Sequence, residues 1–358
     1  MSAVAVHGGL AQDASLASAA THLPHRSSTV GSDIDQEIAD LEARLHAAKQ
    51  RRQQQSASSQ TPSTQAPQIS QSVEQRLQLQ QQQHFLFLLS DSALPLGSFA
   101  FSSGLESFLA HDKAAAVATL AAAANALPKG LKSGPAAFGA FLPLSITSYA
   151  HSSLPFVLSA HDAAIAVRAA AADLPSAPLA LDTFTSTLAV LDDTFDATII
   201  CTVGRRASVA QGRALLSVWE RAFAPVLAAS MPQDPLRPFS LLVKRSSNPP
   251  PGTLSDASAH IPPLFGAVAA FAGLDRRQTA DVFILSHVKA LVSAAVRANL
   301  LGPYQAQKLL ASAHVQKLVV QAVEGAWSVA VEDAGQTMPV VDLWMGRHEM
   351  LYSRIFNS

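Results

Sequence analysis

The residues able to do chemistry are scattered along this chain. It holds twelve histidines and one cysteine, Cys201. A lone cysteine excludes an internal disulfide framework and every metal module built on cysteine pairs. Placed beside Ile199 and Ile200, Cys201 reads as a small buried hydrophobe. His22 and His25 form the one close histidine pair, and Pro24 between them prevents a shared helical face. His111 before Asp112, His161 before Asp162 and His348 before Glu349 are adjacent residues. Neighbours in a helix point apart, so these three pairs make no chelate and read as surface or cap residues. Asp192 and Asp193 diverge for the same reason and read as a solvated face rather than as paired acids. No Walker-type phosphate loop, Gly-x-Ser-x-Gly elbow or His-Glu-x-x-His helix occurs. The expectation is a non-enzymatic chain with no catalytic, cofactor-binding or metal site of its own.

The elements that would position these residues are helical. Over residues 33–52, Ile34, Ile38, Leu41, Leu45 and Ala48 recur at alternating four- and three-residue steps, the seam spacing of a short coiled coil. Asp33, Asp35, Glu37, Asp40 and Glu42 crowd the first half and Arg44, Lys49, Arg51 and Arg52 the second, as the helix dipole favours. This helix belongs to a low-complexity arm over 1–71, whose first thirty residues read as disordered and whose Gln, Ser and Pro stretch from Gln53 to Gln71 reads as a linker. The helix is either a partner-binding or self-pairing element or a solvated amphipathic appendage. Ser72 and Gln75 have capping-box spacing, and Val73 to Leu89 follows as a helix with a buried apolar end.

Further helices are expected at Ser103 to His111, Ala114 to Ala126, Ala136 to Tyr149, Leu154 to Ala172, Leu181 to Ile200, Arg206 to Leu227, Pro263 to Ala272, Arg276 to Asn299 and Tyr304 to Val331. The clearest starts at Asp275, with Gln278 at capping-box spacing and Ile284, Val288, Leu291 and Ala295 on one stripe. Alternating strand patterns are absent, so the fold class is all-α: a helical bundle of about nine to ten helices over 72–358. A Pro-rich surface loop is expected near 230–260.

Length and composition agree. The chain has 358 residues, 49% of them hydrophobic and only 14% charged, so much apolar surface must be covered. A formal net charge of -1 gives no basic field, which argues against nucleic acid or an anionic membrane as partner. Residues 133–160 lack Asp, Glu, Lys and Arg, but Gly134, Pro135, Gly139, Pro143 and Pro155 interrupt them, so a buried helix is expected rather than a membrane span. The first twenty residues lack the basic and apolar regions of a secretory signal, making cytoplasmic location the default.

Two segments stand out by composition, the first as either a well-packed connection between two helices or a binding surface, the second as too apolar for a free tail. Leu94 to Glu106 combines Pro95, Gly97 and Gly104 with the anchors Phe99 and Phe101, and Glu106 follows on the next helical turn. At the other end, residues 343–358 interleave Leu343, Trp344, Met345, Leu351, Tyr352, Ile355 and Phe356 with Arg347, His348, Glu349 and Arg354. Trp, Tyr and Arg are the types enriched at binding hot spots. Docking of this tail on its own bundle is the alternative.

The Leu94 to Glu106 segment resembles the N-terminal signature of the UreF family of urease accessory proteins. Three further blocks resemble the family in order: Arg206 to Trp219 with Gln211-Gly212-Arg213; His260, Pro262, Phe265 and Gly266 followed by Ala294 to Arg297 and Leu301-Gly302; and Arg347-His348-Glu349 with Leu351 to Arg354. Pro303-Tyr304, Gly346 and Asn357 depart from the family pattern. The resemblance implies an all-α homodimeric scaffold that binds a UreD/UreH-type accessory protein and recruits the UreG-type GTPase, which carries nickel to apo-urease. Nickel and GTP are then handled by partners, and partner-binding residues are expected at Arg347, His348, Glu349, Tyr352, Arg354, Phe99, Phe101, Glu106, Gln211 and Arg213. Two other readings stay open. One is a nickel-binding metallochaperone, and the other is an activating protein for the GTPase that uses Arg205, Arg206 or Arg213 as a finger.

Overall fold

The computed structural model describes residues 30–58, 66–111, 134–170, 177–228, 231, 233–247 and 256–357. The His22/His25 pair, the expected helix at Ala114 to Ala126 and Pro249 to Pro251 lie outside them. The chain divides into two compact units, Met1–Gln71 and Ser72–Ser358. Every described element is a helix or a turn, so the fold class is all-α.

In the first unit, helix α1 spans Val30–Ser58, longer at both ends than its apolar seam. Helix α2 spans Ala66–Ser90, so Ser72 lies inside a helix and is not the cap its spacing suggested. The polar stretch expected to be a linker is thus helical at both ends, consistent with the good helix propensity of Gln. Only the last turns of α2 enter the core. Phe85 and Leu89 are buried while Phe87 is exposed, so that helix end is one-sided rather than buried all round. Lys289 Nζ donates to the Ser90 carbonyl at the helix end.

The bundle forms around α4 (Gly134–Ala170) and α9 (Ile261–Phe271). The expected pair of helices at 136–149 and 154–172 is one continuous helix, with Pro143 and Pro155 inside it. An interior proline costs about 3 kcal/mol, and burial of Phe138, Phe141, Leu142, Ile146, Leu154, Phe156 and Val157 along the same helix outweighs it. All residues of α9 are buried. Small side chains let α4 and α9 touch: a Cβ on Gly266 would sit 2.0 Å from the Val157 carbonyl oxygen.

Around this pair lie a short helix α3 (105–111), α5 (Ala177–Thr198), α6 (Thr202–Val218), α10 (Arg276–Arg297) and α12 (Ala313–Ala326). Helix α6 runs through a π-turn at Trp219–Phe223 into α7 (Ala224–Leu227). Helix α8 (Arg237–Ser246) occupies part of what the sequence suggested as a loop, with Phe239 and Val243 buried against the core. The single helix expected over 304–331 is two, α11 (Pro303–Leu310) and α12. Ser312 caps the second by accepting from the Val315 N–H. Pro303 opens α11 and Tyr304 is exposed on it.

Helix α10 follows its sequence closely. Asp275 Oδ1 accepts from the Gln278 N–H at 2.7 Å and Gln278 Oε1 from the Asp275 N–H at 3.1 Å, closing the capping box. Ile284, Val288, Leu291 and Ala295 are buried. This helix is long and apolar enough to cross a membrane, yet just over half of its most apolar window is packed inside the bundle. The chain ends with α13 (Pro339–Arg347), a 3-10 turn at His348–Met350 and an irregular segment.

Candidate functional site

The two segments singled out in the sequence meet in space. Glu106, on the first turn of α3, is the point where the C-terminal segment is held. Its Oε2 accepts from His348 Nε2 at 2.9 Å and from the Phe356 N–H at 3.2 Å, and its Oε1 accepts from the Ile355 N–H at 2.7 Å. The Asn357 N–H donates to the Ala100 carbonyl at 2.8 Å. A carboxylate only accepts, so Nε2 of His348 carries the proton and Nδ1 is left buried without a partner. His348 is fully buried, not the surface or cap residue that its sequence context suggested.

Apolar contacts complete the seat. Trp344 packs edge-on against Phe108 at 4.7 Å and lies 5.9 Å from Phe141, and the Arg297 guanidinium sits 4.3 Å above the buried Phe356 ring. Glu349 pairs with Arg206 of α6 at 2.8 Å. The tail therefore lies on its own bundle in the single chain. It still presents an outer face: Leu343, Met350, Tyr352 and Ile355 are exposed, Tyr352 completely, with Arg347 and Arg354 exposed beside them.

Phe99 is exposed in the loop below, with Arg297 5.9 Å from its ring, whereas Phe101 is half-buried. Phe101 and Gln211 border a cavity of about 110 Å3 beneath α13, lined by hydroxyls including Ser145, Ser148 and Ser152. Tyr149 stacks on His287 there at 3.9 Å, and Ser145 Oγ lies 3.1 Å from His287 Nε2. Burial lowers the His287 pKa to about 3, which keeps the imidazole neutral. Asp342 of α13 borders the same cavity with one carboxylate oxygen buried and unpartnered, and burial raises its pKa to about 6.

A second polar cluster was not legible in the sequence. Asp192 is fully buried, against the expectation of a solvated face. Its Oδ2 accepts from the N–H groups of Ser258 at 2.6 Å and Ala259 at 3.0 Å, and its Oδ1 from the His260 N–H at 2.5 Å. Ala259 has φ of 70° in this turn. His260 Nε2 donates to Asp196 Oδ1 at 2.9 Å, so its Nδ1, 3.0 Å from Ser208 Oγ, accepts the hydroxyl proton. The partners lie 52 to 68 positions apart, and no local spacing announces them.

The family-like Gln-Gly-Arg block of α6 packs on this turn. A Cβ on Gly212 would sit 2.0 Å from the Ala259 carbonyl oxygen, so only glycine fits there. Arg213 Nε donates to the Ser258 carbonyl at 3.2 Å, and Arg205 pairs with Asp196 at 3.2 Å while donating to the Asp196 and Ile199 carbonyls. Cys201 is buried, as expected, and caps α6 by accepting from the Gly204 N–H at 3.4 Å.

Comparison with known proteins finds relatives of this chain. The UreF family model matches residues 132–314. A UreF-like urease accessory protein of Schizosaccharomyces pombe is 30% identical over 279 residues, covering 78% of this chain and 98% of its own length. Urease accessory protein 6 of Cryptococcus neoformans is 28% identical over 77% of this chain and 96% of its own length. Urease accessory protein F of Oryza sativa subsp. indica is 27% identical over 75% and 82% respectively. The match spans the central pair α4 and α9, the Gln-Gly-Arg helix and the capped helix α10, and on these grounds the chain belongs to the UreF family of urease accessory proteins.

Proposed function

We propose that this chain acts in urease maturation as a cytoplasmic, non-catalytic scaffold. It works as a homodimer that binds a UreD/UreH-type accessory protein and recruits a UreG-type GTPase, which brings nickel to apo-urease. The observation that carries this reading is the seated C-terminal segment: buried His348 and Glu106 fix the backbone while Tyr352, Met350, Ile355 and Leu343 face outward. An apolar and aromatic face rimmed by arginine, on a backbone already ordered, has the makeup of a binding hot spot and pays little ordering entropy on association.

Loss of the gene should abolish urease activity while leaving urease protein abundant. Normal activity in such a strain under low nickel would remove the role altogether. Removing residues 347–358 should leave a folded helical protein that no longer co-purifies with the UreD-type partner.

The activating-protein reading draws less support. Arg205, Arg206 and Arg213 are each engaged inside the chain, with Asp196, Glu349 and the Ser258 carbonyl. For the metallochaperone reading, no group of three or more His, Cys, Asp or Glu among the described residues is arranged to hold a metal ion. Calorimetric titration with nickel separates that reading: stoichiometric micromolar binding would favour it over a scaffold.

A further inference from the structure

The bundle and its tail leave α1 without a role. Its apolar seam is open: Ile38, Leu41 and Leu45 are 49%, 58% and 56% exposed on a helix otherwise rich in charged residues, glutamine and alanine. Three large aliphatic side chains at four- and three-residue steps form a narrow stripe, the width of a coiled-coil seam rather than of a face that lies on a sheet or a lipid surface. Aromatic residues are absent from α1 and its charges are of both signs, unlike a membrane-surface helix.

The charges select the occupant and its direction. In a parallel pair the residue before one seam position meets the residue five further along the partner. Leu45 makes those Arg44 and Lys49, two cations. Reversing one helix instead sets the half that carries Asp40 and Glu42 beside the half that carries Arg44, Lys49 and Arg51, and opposes the helix dipoles. Among the described side chains of the helix one ion pair forms, Arg44 to Asp40 at 3.2 Å, with both partners exposed, and it gives up little on exchange. We propose that α1 pairs with α1 of a second copy of this chain as a short antiparallel coiled coil. The seam complements itself in both apolar spacing and charge. This inference stands apart from the urease reading, since it concerns only the arm.

The test uses the full chain carrying Cys201→Ser, with a nitroxide at Ala43 or at Gln50, and pulsed EPR distances between labels. Both positions lie on the outer face, one near the centre of the seam and one towards its end. At 1.5 Å per residue, moving seven residues from the centre adds about 20 Å of axial separation in an antiparallel pair. The distance at Gln50 should therefore clearly exceed that at Ala43, and Leu41→Asp should erase both narrow distributions while circular dichroism keeps its helical signal. Equal distances at the two positions would mean parallel pairing and overturn the proposal. So would broad distributions at both, or narrow ones that survive Leu41→Asp.

Discussion

Two irregular stretches of this protein are held in one way and end in opposite states. Residues 258–260 hang on Asp192, which accepts three backbone N–H groups, and residues 355–356 hang on Glu106, which accepts two along with His348. Around Asp192 the chain closes over: Ala257, Ala259, His260 and Ile261 are all buried. Within the tail segment 348–357 held by Glu106 only His348 and Phe356 are buried, and Met350, Tyr352 and Ile355 stay in solvent. One carboxylate builds core, and the other displays a surface. The difference lies in the neighbouring side chains, since small residues at 257–259 let α6 and α9 close over the turn while the tail's large apolar groups point away.

This contrast can be broken at its stronger side first. Asp192→Ala strands three N–H groups, two of them buried, and chemical denaturation should register a global loss of about 3–5 kcal/mol. Gly212→Ala forces a methyl into the Ala259 carbonyl. It should cost about 1–3 kcal/mol through overpacking, although helix propensity alone would favour alanine by about 1 kcal/mol.

On the other side, Glu106→Gln should cost only about 1–2 kcal/mol. Its signature is local, namely faster amide exchange across 348–357 with α9 still protected. A loss of protection throughout the bundle would mean that the tail is as integral to the core as the Asp192 turn.

Asp342 sharpens the comparison through pH. Its folded pKa is raised to about 6, so the fold favours the neutral acid. The stabilisation is complete below the unfolded value near 4 and is lost as pH rises through about 6. Asp342→Asn should therefore melt above the parent protein at pH 8 and close to it at pH 4. A pH-independent difference would contradict the assignment of the buried oxygen.

How far the sequence carried depends on the range of the interaction involved. Local signals were legible: the Asp275 capping box and the buried stripe of α10 are as the spacing implied, and Cys201 is the small buried residue it resembled. Long-range choices were not. Pro143 and Pro155 look like breaks until α9 supplies enough burial to carry them, and Asp192 looks solvated until a turn 66 positions away brings its N–H groups. His348 gave no sign of its partner 242 positions upstream. The loop at 94–106 and the tail were both marked as special by composition, while their meeting at Glu106 needed the fold.

We propose that the tail is seated for a partner rather than for stability, and Tyr352 tests this most directly. Its side chain is fully exposed, so Tyr352→Ala should leave the melting transition within about 0.5 kcal/mol of the parent protein. The measurement is co-purification of this variant with a UreD-type accessory protein, scored beside the parent chain. The account predicts a folded protein whose capture of that partner is strongly reduced. Undiminished capture by the folded variant would contradict it and leave the tail as packing for its own bundle.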